Sequence, residues 1–394
     1  MRLNQKSNNE VGLKKTNDTN NKVLGNQNEK QRIVIIAGPH KTGTSSLQYN
    51  FFQWTKHNSN LGMHNTTLWD DWVWPIPSFM EQLYGQERDD KNNKHPSLSY
   101  ASYTSKVYYP LMEALRSPDR DIKDRLIFKS LSIDEIINMY HSTLQNVWDM
   151  GSNIVFGSEA MDLIVKLEEG PEMIDSLINR ILPKSANADQ ITVVVTYRSP
   201  KIDHLISQWH QVIFQKSNTQ SFFKWITTTK NNLGTLDPLG MVTMFLKYTK
   251  WNVALVDFEW VQENGWDLTD YVACHFLQVE CDFDNKQIKK LEEENGIADI
   301  KNVRHYGKSP NVSDETRAEM NDILMTYDCI YYESLLKEKN ERIILPHKLS
   351  IDRLIAHCQS LSTDALFTTR EEMKKELVKV VKKHGATSRS MLRN

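Results

Sequence analysis

The stretch Ile33–Gln48, which reads IVIIAGPHKTGTSSLQ, determines the fold that the sequence predicts. Its apolar, β-branched beginning stops at Gly38 and gives way to hydroxyl side chains, a pattern typical of a buried strand, a turn and the start of a helix. Leu47, Phe51 and Trp54 then recur at helical spacing. The free backbone N–H groups and the positive dipole end of such a helix attract an anion. The stretch therefore predicts a phosphate-binding loop.

The position of the lysine distinguishes this loop from that of the nucleoside-triphosphate enzymes. Their pattern, GxxxxGK[ST], has the lysine directly after the last glycine, so that it reaches the β and γ phosphates. Gly38 and Gly43 have the required spacing, but Thr44 occupies the lysine position and Lys41 lies inside the loop. The loop therefore suits an anion and suits ATP hydrolysis poorly.

The segment Lys41–Ser45, KTGTS, resembles the 5′-phosphosulfate loop of the sulfotransferases, whose usual form is PKSGTT or PKTGTT. That family uses 3′-phosphoadenosine 5′-phosphosulfate (PAPS) as donor. The resemblance implies that Lys41 stabilises the oxygen that bridges to the departing sulfuryl group. In this chain His40 stands between Pro39 and Lys41, where the family has proline directly before the lysine, and this leaves the role of His40 open. The loop residues implied in donor binding are Lys41, Thr42, Gly43, Thr44, Ser45 and Ser46.

A second stretch, Ile191–Gln211, has a valine-rich strand followed by a helical pattern. Arg198 lies at the end of the predicted strand, and Pro200 precedes a predicted helix over Ile202–Phe214. In an open parallel sheet, ligands bind at the carboxyl ends of the strands, so Arg198 and Lys41 are expected to face one crevice. The planar guanidinium suits a phosphate because it can donate two charge-assisted hydrogen bonds.

This stretch also resembles the 3′-phosphate motif of the sulfotransferases, an arginine after a strand and a serine on the next helix. The resemblance implies that Arg198 and Ser207 hold the 3′-phosphate, although the serine follows nine positions on, where the family usually has eight. An extra residue in the turn would preserve the facing of Ser207, whereas one in the helix would rotate it by about 100°. An arginine at a strand end more often forms a surface ion pair. His204 could touch the nucleotide, but the sequence favours a solvated side chain.

Sulfuryl transfer also needs a base for the proton of the acceptor. The segment Asn153–Ile164, NIVFGSEAMDLI, predicts a short strand that ends just before Glu159, on the edge where Lys41 and Arg198 are expected. Glu159 is the first candidate for the base, and a carboxylate that caps the following helix is an equally economical interpretation. His40 is the second candidate for the base.

Two further segments have open interpretations. Trp69, Trp72 and Trp74 could line an acceptor pocket, although packing over the sheet is the favoured interpretation. The loop after Asp299 loosely resembles the family segment that closes over the nucleotide, which implies Arg304 and Lys308 as phosphate contacts. Solvated basic side chains are the alternative there.

The apolar stripe of Glu371–His384 could bind a membrane surface, but docking of a C-terminal helix on the body of the protein is favoured because the stripe has no aromatic residues.

The composition limits partners and location. The chain has 394 residues, a formal net charge of -2 and a pI near 6.6, which support neither nucleic-acid binding nor a polybasic membrane contact. No apolar run approaches the ~18 residues of a membrane span, and the first thirty residues lack the apolar region of a secretory signal. We therefore expect a soluble, cytoplasmic protein with free thiols in a reducing compartment. The cysteines are Cys274, Cys281, Cys329 and Cys358.

Together these patterns predict an α/β protein with a central parallel β-sheet flanked by helices, and the resemblance implies the P-loop-like sulfotransferase fold. The expected divisions are a disordered leader over residues 1–30, a sulfotransferase domain over 31–345 with an acceptor-side insertion around 60–130, and a C-terminal helical extension over 346–394. The predicted function is transfer of a sulfuryl group from PAPS to a hydroxyl of an acceptor, a carbohydrate, sterol or small metabolite, without a metal ion.

Two alternatives remain open. The first is an ATP-dependent kinase with an unusual phosphate loop, against which stand the position of Lys41 and the lack of a clear strand-ending aspartate for magnesium. The second is a non-catalytic adenosine-bisphosphate-binding protein that has lost its base.

Overall fold

The computed structural model describes nearly all of the second predicted strand-to-helix stretch, and of the first it describes the strand and Leu47 but not the loop between Gly38 and Leu47. The described residues are 30–38, 47, 51, 55–56, 69–80, 107–116, 131–198, 201–216, 221–228, 237–279, 312–331, 341–344, 348–361, 367 and 369–391. Within them, only the backbone is described for residues 55–56, 69–71, 109, 159, 166, 211–216, 348–353 and 385–391. The predicted leader therefore lies outside the described residues, except for Lys30.

The described strands form one parallel sheet. They are β1 (Ile33–Ile36), β2 (Thr55–Lys56), β3 (Trp69–Val73), β4 (Asn153–Gly157), β5 (Ile191–Tyr197), β6 (Asn252–Asp257) and β7 (Ile343–Ile344). Their order across the sheet is β2-β3-β4-β1-β5-β6-β7, and every neighbouring pair is parallel. The predicted α/β class with a central parallel sheet is confirmed.

Helices flank the sheet and connect its strands. They are α1 (Tyr109–Arg116), α2 (Ile133–Asp149), α3 (Leu163–Lys166), α4 (Gly170–Ser176), α5 (Lys201–Lys216), α6 (Phe222–Thr228), α7 (Pro238–Tyr248), α8 (Phe258–Glu263), α9 (Leu268–Val272), α10 (Asp314–Asp328), α11 (Lys348–Ser360) and α12 (Arg370–Met391). The predicted helix after Pro200 is α5. Two single π-helical turns, Leu177–Ile181 and Ala273–Leu277, continue α4 and α9.

The central strands are buried on both faces, as the unbroken apolar runs predict. All four residues of β1 are at most 1% exposed, and β4 to β6 are almost as fully buried. Burial of these strands stabilises the fold by about 25 cal/mol for each Å² of apolar surface that is removed from water. This is the main favourable contribution to the free energy of forming the sheet.

The strand order contains a point where the direction of the chain reverses. From β1 the chain continues to β2, β3 and β4 on one side of the sheet, and from β5 it continues to β6 and β7 on the other. The neighbours β1 and β5 therefore form the switch point of the sheet, which is where ligands bind in open α/β folds.

A second apolar cluster joins the C-terminal helix to the rest of the protein. Met373 and Leu377 of α12 are at most 1% exposed and belong to one cluster with Leu205 of α5, Trp225 of α6 and Leu324 of α10. This confirms the predicted docking of the C-terminal helix on the body.

The prediction of free thiols is wrong for the described cysteines. Cys329, directly after α10, forms a disulfide with Cys358 of α11, and Cys274 is disulfide-bonded as well. Cys281 lies outside the described residues. The spacing along the chain did not reveal the pairing of Cys329 with Cys358, because that pairing depends on the packing of α10 against α11.

In the part of the chain that the structure describes, no helix is both long and apolar enough to cross a membrane.

Candidate functional site

The candidate site lies where three neighbouring strands end. Ile36, the last residue of β1, is in register with Gly157 at the end of β4 and with Val194 of β5. Neighbouring strands are about 4.8 Å apart, and parallel strands end at the same edge of a sheet. Strands β1 and β4 therefore end level with each other, before the phosphate-loop stretch and Glu159, whereas β5 continues for three more residues, to Tyr197, before Arg198.

The phosphate-loop stretch is described at its two ends. At the strand end, the N–H of Ala37 donates to the carbonyl of Val194 at 2.9 Å. At the helix end, Leu47 and Phe51 are helical and fully buried, as their spacing predicts. Several candidate residues lie outside the described residues: His40, Lys41, Thr42, Gly43, Thr44, Ser45, Ser46, Arg304 and Lys308.

The end of β4 approaches β1 very closely. A Cβ atom on Gly157 would lie 2.3 Å from the carbonyl oxygen of Ile36, so only glycine fits there without movement of the backbone. The hydroxyl of buried Ser158 then accepts from the N–H of Ala160 at 3.1 Å and caps the 3-10 turn Glu159–Asp162. The backbone of Glu159 thus lies directly beyond the edge of the sheet at which β4 ends.

Arg198 follows β5 and contacts the residues that follow β6. Tyr197 is in register with Asp257, so Arg198 lies beside the first turn of α8. Its Nε donates to the carboxylate of Glu259, and its guanidinium carbon lies 5.4 Å from the centre of the Phe258 ring. The side chains of Arg198 and Glu259 are 20% and 18% exposed. The ion pair that the sequence left as the alternative for Arg198 is therefore present, in a partly buried position.

A buried ion pair holds the turn that carries Arg198. Lys201, the first residue of α5, donates to Asp328 at the end of α10, and the two side chains are 1% and 0% exposed. The hydroxyl of Tyr197 lies 3.5 Å from the same carboxylate. Burial raises the pKa of Asp328 to about 6, and Lys201 opposes that rise. Asp328 therefore contacts the residues on both sides of the Arg198 turn.

Sequence reasoning missed this pair, because Asp328 is 127 positions from Lys201. The residues after Lys201 mix apolar and polar side chains, so no local pattern indicates that this lysine is buried.

Ser207 and His204 lie in different environments on α5. His204 is 1% exposed and its Nε2 is 3.1 Å from the side-chain nitrogen of Gln208, so the prediction of a solvated histidine is wrong. Ser207 is half-buried, on the side of Asp203, which pairs with Arg317 of α10. Because α5 begins at Lys201, Ser207 is about 120° around the axis from the lysine that faces Asp328.

The sequence shows no clear strand-ending aspartate for magnesium, but one described strand does end in an aspartate. Strand β6 ends at Asp257, which is 6% exposed and whose carboxylate accepts from the N–H of Trp260 at 3.1 Å, as the N-cap of α8. Strand β5 separates β6 from β1, so Asp257 is two strands away from the phosphate-loop stretch. Among the described residues, no group of three or more histidine, cysteine, aspartate or glutamate side chains could hold a metal ion.

The tryptophans after residue 68 belong to the core as far as their side chains are described. Trp72 is 3% and Trp74 is 0% exposed, and the ring of Trp74 lies 5.8 Å from that of Tyr108 in an edge-on arrangement. The packing interpretation is confirmed for these two residues. Of Trp69 only the backbone is described, as the first residue of β3.

Comparison of the chain with models of known protein families, with curated proteins and with solved structures gave no match. The functional assignment of this edge of the sheet therefore depends on its residues and on the order of its strands.

Proposed function

We propose that this protein is a PAPS-dependent sulfotransferase of the P-loop-like fold. The observation that carries the proposal is the position of β1 at the switch point of the sheet, between β4 and β5. The loop KTGTS, Glu159 and Arg198 follow these three adjacent strands at one edge. A donor with a phosphate at each end of its sugar needs cationic and N–H groups from two neighbouring strand ends, and this edge can supply both.

The proposed roles follow from the charges that develop during transfer. Lys41 and the loop N–H groups stabilise the negative charge on the 5′-phosphate as its bond to the sulfuryl group breaks. Glu159 accepts the proton of the acceptor hydroxyl as the new S–O bond forms, and adenosine 3′,5′-bisphosphate leaves. Arg198 binds the 3′-phosphate. Ser207, Arg304 and Lys308 are secondary candidates for the same phosphate.

The alternatives have weaker support. The kinase hypothesis gains a strand-ending aspartate in Asp257, but that carboxylate caps α8 and follows a strand that is not a neighbour of β1. The acceptor stays a hydroxyl compound of open class, because the described tryptophan side chains pack in the core. The disulfides favour an oxidising compartment over a cytoplasmic location.

A thermal-shift titration tests the donor site. Adenosine 3′,5′-bisphosphate is expected to stabilise the protein by RT ln(1 + [L]/Kd), which is about 2.7 kcal/mol at a ligand concentration of 100 Kd, and ATP with magnesium is expected to do much less. Arg198→Ala should weaken the bisphosphate effect. Arg32→Ala is the matched control because Arg32 precedes β1 at the opposite edge of the sheet. Stabilisation by ATP alone would favour the kinase, and no stabilisation by either ligand would overturn the donor site.

A turnover assay tests the base. With labelled PAPS and a panel of hydroxyl acceptors, Glu159→Gln is expected to lower the transfer rate about 10²- to 10⁴-fold while bisphosphate binding is unchanged. Full activity of this variant would remove Glu159 from the mechanism and make His40→Gln the next variant. Bisphosphate binding without turnover in the parent protein would favour the non-catalytic alternative.

A further inference from the structure

The guanidinium of Arg198 is held by two successive residues of one short helix. Its Nε donates to Glu259, and its central carbon lies over the ring of Phe258, 5.4 Å from the ring centre. The carboxylate of Asp257 caps the same turn through the N–H of Trp260. The position of Glu259 is thus determined by the end of β6, which is itself in register with the end of β5.

The geometry of this contact leaves a specific role for the carboxylate. A guanidinium has one edge formed by Nε and a terminal nitrogen, and another formed by the two terminal nitrogens. The contact to Glu259 uses Nε. A carboxylate on that edge fixes the rotation of the guanidinium, so that its terminal edge has a defined direction before a ligand arrives. Without this contact, the guanidinium loses one of the groups that fix its rotation, and more of the arginine side chain must be ordered during binding.

We propose that Glu259 is a positioning residue that orients the guanidinium of Arg198 toward the 3′-phosphate of an adenosine 3′,5′-bisphosphate. This inference rests on the proposed function. It adds a residue that no motif in the sequence indicates, 61 positions from Arg198. Glu259 also increases selectivity for nucleotides with a 3′-phosphate over those without one, because only a 3′-phosphate contacts the oriented Arg198.

Calorimetric titration of four variants tests the inference with two ligands. For adenosine 3′,5′-bisphosphate, Glu259→Ala is expected to weaken binding about 3- to 10-fold, the range that corresponds to ordering one arginine side chain. Glu259→Gln should recover part of this loss, because its amide oxygen still accepts from Nε. Arg198→Ala should weaken binding most. Glu263→Gln is the matched control, since Glu263 is an exposed carboxylate on the same helix.

The second ligand, adenosine 5′-monophosphate, separates positioning from general destabilisation. It lacks the 3′-phosphate, so its affinity should be the same in all of these proteins. Equal weakening of both ligands by Glu259→Ala would mean a structural role only. Unchanged or tighter bisphosphate binding in the two Glu259 variants, with weak binding in Arg198→Ala, would overturn the inference and leave the proposed function intact. Absence of bisphosphate binding in the parent protein would overturn both.

Discussion

Lys201 and Asp328 are the residues near the candidate site whose burial demands the most explanation. Removing two charges from water costs several kcal/mol per ion, and their mutual attraction offsets this only with good geometry. The cost is visible in the raised pKa of Asp328, which burial moves from 3.8 to about 6 against the opposing effect of Lys201. Asp328 contacts Tyr197 before the Arg198 turn and Lys201 after it. The destabilising cost of burying the pair therefore accompanies contacts that hold this turn in one conformation.

Replacement of Lys201 by methionine is expected to destabilise the protein more at high pH than at low pH. Because the pKa of Asp328 is raised in the folded state, the stability that this carboxyl contributes is full below about 3.8 and is lost as the pH rises through about 6. Without Lys201 that pKa rises further and the loss continues to higher pH. We expect the free energy of unfolding of Lys201→Met to be about 3–5 kcal/mol below that of the parent protein near pH 8. Near pH 5 the difference should be clearly smaller, and denaturant unfolding measures both values.

Lys224→Met is the matched control for this experiment, because Lys224 is an exposed lysine on α6. Its effect should be within about 0.5 kcal/mol at both pH values. A deficit of Lys201→Met that does not depend on pH would contradict the ionised pair.

At the scale of elements, α10 has a central position. Its last residue, Asp328, contacts the Arg198 turn, its surface packs on α5 and α12, and the disulfide after it holds α11. The hydroxyls of Tyr327 and Tyr331 also donate to the carboxylate of Asp237, the N-cap of α7. Burial raises the pKa of Tyr327 to about 12. The C-terminal end of α10 is therefore held by a disulfide, an ion pair and tyrosine hydrogen bonds.

Loss of the disulfide should measurably loosen this arrangement. The bond between Cys329 and Cys358 joins residues 29 positions apart, and closing a loop of this length stabilises a fold by about 3–4 kcal/mol on the chain-entropy model. Cys358→Ser is expected to lower the free energy of unfolding by that amount, and reductant should lower that of the parent protein at least as far. Thiol titration of the native protein from an oxidising host checks the bond directly, because freely reacting Cys329 and Cys358 would contradict it.

At the scale of the whole molecule, the described core consists of two apolar clusters, and Tyr331 packs against both. The larger cluster surrounds the sheet, and the smaller one is formed by α5, α6, α10 and α12. Helix α5 begins three residues after Arg198, the candidate phosphate-binding arginine. Packing in the smaller cluster therefore holds the helix that directly follows this residue. Surface pairs such as that of Glu319 with Lys383 and His384 add little to this packing, because exposed ion pairs contribute about 0–1 kcal/mol.

Truncation of Leu377 tests whether the C-terminal helix is part of the same cooperative unit. Leu377 is fully buried in the smaller cluster, and Leu377→Ala is expected to cost about 2–5 kcal/mol. Circular dichroism and tryptophan fluorescence should report one shared transition at lower denaturant, since Trp209 and Trp225 belong to that cluster. Lys382→Ala, at an exposed position of α12, should change little. Two separate transitions would show that α12 unfolds independently.

Local pattern was sufficient for much of the fold. The apolar runs predicted β1, β4 and β5, because a parallel strand buried on two faces needs an unbroken stretch of apolar residues. The apolar stripe of α12 predicted its docking for a similar reason. Parallel pairing places the strand ends at one edge, so the shared edge at which the strands before Glu159 and Arg198 end could be inferred from the sequence.

The partners of the polar groups were decided by the tertiary structure alone. Glu259 meets Arg198 across 61 positions and Asp328 meets Lys201 across 127. The environments of His204 and of the described cysteines also differ from the sequence-based expectation, since one is buried and the others are bonded. The physical reason is that the burial of an apolar face follows from local periodicity. The surroundings of a charge, an imidazole or a thiol depend on which distant elements become neighbours, and spacing along the chain does not encode that.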